Sequence, residues 1–160
     1  MNTRRTITPE MARIRLENLC GRAERCSYEL RQKLYVWGIP SDVAENMLAD
    51  MHGQRWFDDG RFARAFVSDK VRFERRGRLY LRNALRAKRI ADDIITAALD
   101  RIDPEIYAAN LQAAMMTKLR SNPTLIADFD GRTRLFRHLM ARGYEPDQIK
   151  MAIRRAMSDI

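Results

Sequence analysis

A short pattern recurs three times along the 160 residues, at an interval of about fifty. Its first copy is Leu30-x3-Leu34-x3-Gly38-Ile39-Pro40-Ser41-Asp42-Val43, continuing to Met47-Leu48. The second is Leu81-x3-Leu85-x3-Arg89-Ile90-Ala91-Asp92-Asp93-Ile94, continuing to Ala98-Leu99. The third is Leu135-x3-Leu139-x3-Gly143-Tyr144-Glu145-Pro146-Asp147-Gln148, continuing to Ala152-Ile153. In each copy two leucines stand one helical turn apart on one face. A break follows, and a polar or acidic start opens another apolar helix. Repetition at this period predicts stacked supersecondary units, an architecture that usually serves binding.

Start and stop signals around the pattern divide the chain into nine helices. Thr8-Pro9-Glu10 and Asp103-Pro104-Glu105 each read as a cap, a proline at the first helical position and an acid in the first turn. Ser27 reads as a cap for the helix carrying Leu30 and Leu34, and Gly38 ends that helix. Phe57-Asp58-Asp59 opens a helix with Phe62, Ala65, Phe66 and Val71 inward, broken at Arg76-Gly77. Residues 121–131 form a longer connection with room for a helical turn of its own. Glycines and prolines are few and no strand-like alternation runs far. The expected fold class is therefore all-α: three tandem three-helix repeats over residues 8–52, 57–102 and 103–158, stacked into an elongated, curved array. Each unit is too small to bury more than a modest core and is expected to lean on its neighbour.

The formal charge is +9, and most of it is concentrated. Between residues 70 and 89 stand nine basic side chains (Lys70, Arg72, Arg75, Arg76, Arg78, Arg82, Arg86, Lys88 and Arg89), opposed by Glu74 alone. Arg78, Arg82, Arg86 and Arg89 are spaced as one stripe along a helix, where like charges repel by a few tenths of a kcal/mol per pair. A stripe that weakens its own helix points to an anionic partner, with a merely solvated face as the alternative. Arginine dominates it, and a guanidinium fork suits bidentate contact with carboxylate or phosphate. Arg31 and Lys33 in the first unit, and Arg134 and Arg137 in the third, are secondary candidates.

Catalytic chemistry finds little support. No Gly-rich phosphate cradle is present. The two histidines, His52 and His138, lie in different units, and no metal site or cofactor is expected. Asp58-Asp59 is better read as helix capping than as a catalytic carboxylate pair. Trp37, Trp56, Phe57, Phe62 and Phe66 read as core. Cys20 and Cys26 match neither a metal-knuckle nor a CxxC spacing, and fit a reducing cytoplasm. No run is long and apolar enough to span a membrane, and the opening Met-Asn-Thr-Arg-Arg lacks a secretory core.

Three stretches resemble a known family. Arg25-Cys26-Ser27-Tyr28-Glu29-Leu30-Arg31-Gln32-Lys33-Leu34, followed by Gly38-Ile39, is similar to the first conserved block of the bacterial RecX family. Trp56-Phe57-Asp58-Asp59-Gly60-Arg61-Phe62-Ala63-Arg64-Ala65-Phe66-Val67 is similar to its most diagnostic stretch, and Arg76-Gly77-x4-Arg82-x2-Leu85-x3-Arg89-Ile90 resembles the block after it. The resemblance runs from about residue 11 to the end and implies tandem three-helix repeats. It also implies a cofactor-free regulator that lodges in the groove of the RecA–DNA filament and suppresses its ATPase and strand exchange. The family usually carries glycine where Arg89 stands, and often Gly-Pro near Arg76-Gly77.

The expectation is thus a cytoplasmic, monomeric, non-enzymatic modulator of a RecA filament, with DNA in the filament as a possible direct contact. Residues 72–89 are its main contact surface. The alternatives are a helix-turn-helix-like DNA-binding regulator acting without a recombinase, an enzyme with an unrecognised site, and a protein-only adaptor.

Overall fold

The computed structural model describes residues 7–160, so the opening Met-Asn-Thr-Arg-Arg lies outside the described residues. Those residues form nine α-helices and no strand: α1 Pro9–Arg22, α2 Ser27–Val36, α3 Ser41–Gly53, α4 Asp59–Glu74, α5 Arg78–Ala87, α6 Asp92–Asp100, α7 Pro104–Ser121, α8 Phe129–Ala141 and α9 Pro146–Ser158. The connection between α7 and α8 holds a 3-10 turn over Pro123–Ile126. The accessible surface is 10447 Å². A compact monomer of 18.7 kDa exposes about 8,300 Å², so the nine helices form an extended body.

The repeated pattern is one local structure made three times. All six leucines, Leu30, Leu34, Leu81, Leu85, Leu135 and Leu139, are completely buried. Beyond each pair the chain passes through a left-handed residue: Gly38 at φ 76°, Arg89 at φ 57° and Gly143 at φ 100°. The next residue donates its N–H back to the carbonyl of the second leucine. These bonds are Ile39 to Leu34 at 3.0 Å, Ile90 to Leu85 at 3.2 Å and Tyr144 to Leu139 at 3.3 Å. This is the Schellman closure, with an apolar residue folding back beneath the helix end. Arg89 holds the left-handed position without being glycine, at a cost of about 1 kcal/mol. It ends the helix rather than extending it, since α5 stops at Ala87.

Four helix starts are capped by a side chain just ahead of them. Thr8, Asp58, Asp103 and Asp128 each accept a backbone N–H from the first turn of their own helix. Ser27 does not cap α2: it is the first helical residue, and Cys26 at the cap position makes no side-chain bond. The missing acceptor comes from the second unit. Asp59 takes the Ser27 N–H at 2.8 Å and the Ser27 hydroxyl at 2.9 Å. Asp58 caps α4, and Asp59 caps a helix in the neighbouring unit.

The core divides into two clusters. The first gathers Ala12, Leu16, Leu30, Leu34, Met47, Leu48 and Met51 from α1–α3, together with Phe57 from the following link. The second runs unbroken through α4–α9 and takes in Cys26 from the first unit. The second and third units therefore share one interior, while Cys26 and Phe57 stitch the first unit to it. Burial pushes the Cys26 thiol above its ordinary range. Phe62 is buried as expected, and Trp37, Trp56 and Phe66 are partly buried against these clusters.

The junction between the second and third units is made of main chain. Gly77 precedes α5 and donates to the Arg142 carbonyl at 2.9 Å, and Leu79 donates to the Gly143 carbonyl at 2.9 Å. The Arg78 N–H donates to the Tyr107 hydroxyl at 3.0 Å. The open N–H groups that begin any helix are thus satisfied here by the turn between α8 and α9 and by α7. A Cβ on Gly77 would lie 2.3 Å from the Gly143 carbonyl, so two glycines are what allow the backbones to meet.

Candidate interaction surface

The middle of α5 is held at both ends. Its first turn is docked on the third unit, and its last turn reaches the first unit through Lys88, which pairs with Glu29 at 2.9 Å. Beyond it the Arg89 guanidinium lies 5.7 Å from the centre of the Tyr28 ring. This anchoring presents Arg82 and Arg86 outward on a fixed support. The Arg82 guanidinium donates to the Thr96 hydroxyl at 3.4 Å and lies near enough to Asp92 to help lower its carboxyl. Arg86 pairs with Asp92 at 3.0 Å, both partners largely exposed, and that guanidinium lowers the Asp92 carboxyl. Such a solvent-exposed pair is weak and screened, so an incoming phosphate or carboxylate can replace Asp92.

The arginines of this stretch do not act as one set. Arg78 was placed on the outward stripe by its spacing, but it turns inward. It pairs with Glu145 at 3.3 Å and stacks 4.0 Å from the centre of the Tyr107 ring. The Tyr107 hydroxyl donates to the same Glu145 at 2.6 Å, so Arg78, Tyr107 and Glu145 form a strut between units. Arg76 lies over Tyr80 at 4.3 Å and pairs with Glu74 at 3.5 Å. Glu74 also holds Lys70 at 2.9 Å, and these cations, Lys70 foremost, lower its carboxyl. Arg72 rests against Phe73, and Arg75 caps α4 in a left-handed conformation at φ 52°.

Arg72, Arg75, Arg86 and Arg89 are exposed and Arg82 is half-exposed, whereas Arg76 and Arg78 are partly enclosed. Among the secondary candidates, Arg31 pairs with Glu45 at 2.6 Å and lowers that carboxyl. Lys33, Arg134 and Arg137 are exposed. Residues Arg64 and Arg101, which no charge run marked in the sequence, border a groove on α4 and α6. Their isolation among other residue types is why spacing alone passed them over. Among the described residues no group of three or more His, Cys, Asp and Glu side chains could hold a metal ion, and no helix is long and apolar enough to cross a membrane.

The fold and this surface define a tandem three-helix array with a basic, arginine-rich face on a rigid support. The first three-helix domain of RecX matches residues 12–51, and the second matches residues 58–99. Regulatory protein RecX of Prosthecochloris aestuarii is 30% identical over 134 residues, covering 83% of this chain and 85% of that protein. Regulatory protein RecX of Neisseria meningitidis serogroup B is 27% identical over 147 residues, 92% of each. The crystal structure of RecX from Lactobacillus salivarius shares the fold with a TM-score of 0.81 at 16% identity, over 95% of this chain and 97% of that one. The chain belongs to the RecX family.

Proposed function

We propose that this protein is a cytoplasmic, non-enzymatic regulator of the RecA recombinase in DNA repair and recombination. It binds the RecA–DNA filament and inhibits its ATPase and strand exchange. Two things support the reading: relatives named as regulatory proteins, and the exposed arginines presented along and beside α5. The observation that carries it is the placement of Arg82 and Arg86 on a helix braced at both ends. A rigid cationic face loses little entropy on meeting an anionic lattice, and several such contacts along one filament reinforce each other.

The test is a RecA ATPase assay on single-stranded DNA with the protein titrated in. Wild type inhibits, increasing salt weakens inhibition steeply through counterion competition, and R82E/R86E fails to inhibit at unchanged helix content. Undiminished inhibition by R82E/R86E removes the α5 face from the mechanism. Inhibition far below one molecule per RecA protomer indicates capping of filament ends, and inhibition only near saturation indicates occupancy of the groove. Sequence-selective duplex binding in a gel shift without RecA overturns the proposal in favour of a free-standing DNA-binding regulator.

A further inference from the structure

A second surface, on α4 and the α6–α7 turn, has a different chemistry and shares only Arg72 with the basic stretch. A groove of about 850 Å³ opens along α4 where α6 turns into α7. Its floor is apolar, formed by Ala65, Val71, Ala98 and Ile102, with Ile106 52% exposed along one wall. A smaller hollow of about 300 Å³ shares Arg64, Ala98 and Arg101 with it and extends it toward Gly60. The two together follow α4 from Gly60 to Arg72, about 18 Å at the rise of a helix. That is the reach of about six residues of extended chain.

The rim is cationic. Arg64, Arg72 and Arg101 border the groove and are exposed. None of the three makes an ion pair among the described residues, and Arg72 lies over the Phe73 ring. The acids that also line the groove are already engaged. Glu24 pairs with Arg61 at 2.8 Å, and Asp103 accepts the Glu105 N–H at 2.8 Å to cap α7.

Free guanidinium groups over an apolar floor complement a chain that carries carboxylates beside a large apolar side chain. The carboxylates meet the arginine forks bidentately, and the apolar group leaves water against Val71, Ile102 and Ile106. Nucleic acid fits less well. Single strands are held by aromatic platforms on which bases stack, and among the described residues no aromatic side chain lines this groove. We infer that the groove between α4 and the α6–α7 turn is a docking site for an acidic protein segment bearing one large apolar anchor residue. The inference does not depend on the function proposed for the α5 face.

Fluorescence polarisation on the full chain tests it, using fluorescein-labelled octapeptides in which one Leu, Phe or Trp is set among Asp and Glu. Matching octapeptides carry Ser at the anchor position, and a fluorescein-labelled oligodeoxythymidylate of equal charge is run alongside. Anchored peptides are expected to bind at least about tenfold more tightly than their Ser counterparts. Ser68→Trp, at an exposed position lining the groove, and R64E/R101E should each abolish that binding, while R82E/R86E leaves it unchanged. Circular dichroism confirms that the variants are folded, and the two variants probe the groove independently. The inference is overturned if no anchored peptide outbinds its Ser counterpart, or if peptides bind Ser68→Trp and R64E/R101E as well as wild type. Displacement of the peptides by the oligonucleotide, with the same dependence on Arg64 and Arg101, also overturns it and assigns the groove to nucleic acid.

Discussion

Asp59, the first residue of α4, accepts both the backbone N–H and the hydroxyl of Ser27, the first residue of α2, at 2.8 and 2.9 Å. The helix that opens the second unit thereby supplies the cap that the first unit lacks. Its neighbour Asp58 performs the ordinary task within α4, where the Arg61 N–H bond holds its carboxyl below the usual range. Two adjacent acids serve two different helices.

This division makes the pair separable by mutation. Asp59→Ala should cost about 1–2 kcal/mol, the value of a helix cap, and should speed amide exchange at the start of α2 although the substitution lies in α4. Asp58→Ala should cost a similar amount but loosen only the start of α4. Urea titration with hydrogen exchange resolves the two. Equal exchange at Ser27–Leu30 amides in both variants would remove Asp59 from its capping role.

The glycine contact between the second and third units predicts a steep steric penalty. Gly143→Ala must fit a Cβ 2.4 Å from the Tyr80 Cβ and hold φ at +100°, so a loss of more than about 3 kcal/mol is expected in thermal or chemical denaturation. Gly21 has nothing within 4 Å of the same test position. Gly21→Ala should be neutral or stabilise by about 0.5 kcal/mol, because alanine loses less backbone entropy in a helix.

Arginines that look equivalent in the stripe should behave in opposite ways. Arg78→Glu sets a second carboxylate against Glu145 and strips the cation from Tyr107, so it should destabilise by about 2–3 kcal/mol. Arg82→Glu and Arg86→Glu, on the outward side, should stay within about 0.5 kcal/mol of wild type. Melting curves decide this before any binding assay, and for the same reason a binding test should spare Arg78.

The phenols in the inter-unit junction set an alkaline limit. The Tyr144 hydroxyl donates to the Arg75 carbonyl at 2.5 Å, and burial pushes its pKa up to about 12. Tyr107, buried and bonded to Glu145, is pushed up as well. Both hold their protons more firmly folded than unfolded, so the unfolded chain releases protons first. Their contribution is complete below about pH 10, the ordinary phenol range, and is lost as pH rises toward 12. Thermal stability should fall over that window, and Y107F/Y144F, though less stable at neutral pH, should show a shallower fall. Parallel pH profiles for wild type and variant would exclude the two phenols as the cause.

Local chemistry made much of the fold legible from residues alone. The leucine pairs, the breaks at Gly38 and Gly143, and the Thr8, Asp58 and Asp103 caps all depend on neighbours within one or two helical turns, so spacing reveals them. Arg89 fits the same rule although it is not glycine, because the position and not the residue type closes the helix. The basic stretch was equally visible as a concentration of charge.

What each arginine does was settled by contacts between residues far apart in the chain. Arg78 meets Glu145 across 67 positions, and Ser27 meets Asp59 across 32. Nothing in a helical period encodes which distant carboxylate comes to lie beside which guanidinium. The sequence by itself determined nine helices, most of their ends and a basic face. Only the packing of the units on one another decided which cations became struts, which stayed in solvent, and where α4, α6 and α7 left a groove. The reason is that helix formation is governed by short-range hydrogen bonds and side-chain periodicity, whereas exposure and pairing are properties of surfaces that exist only once the helices have met.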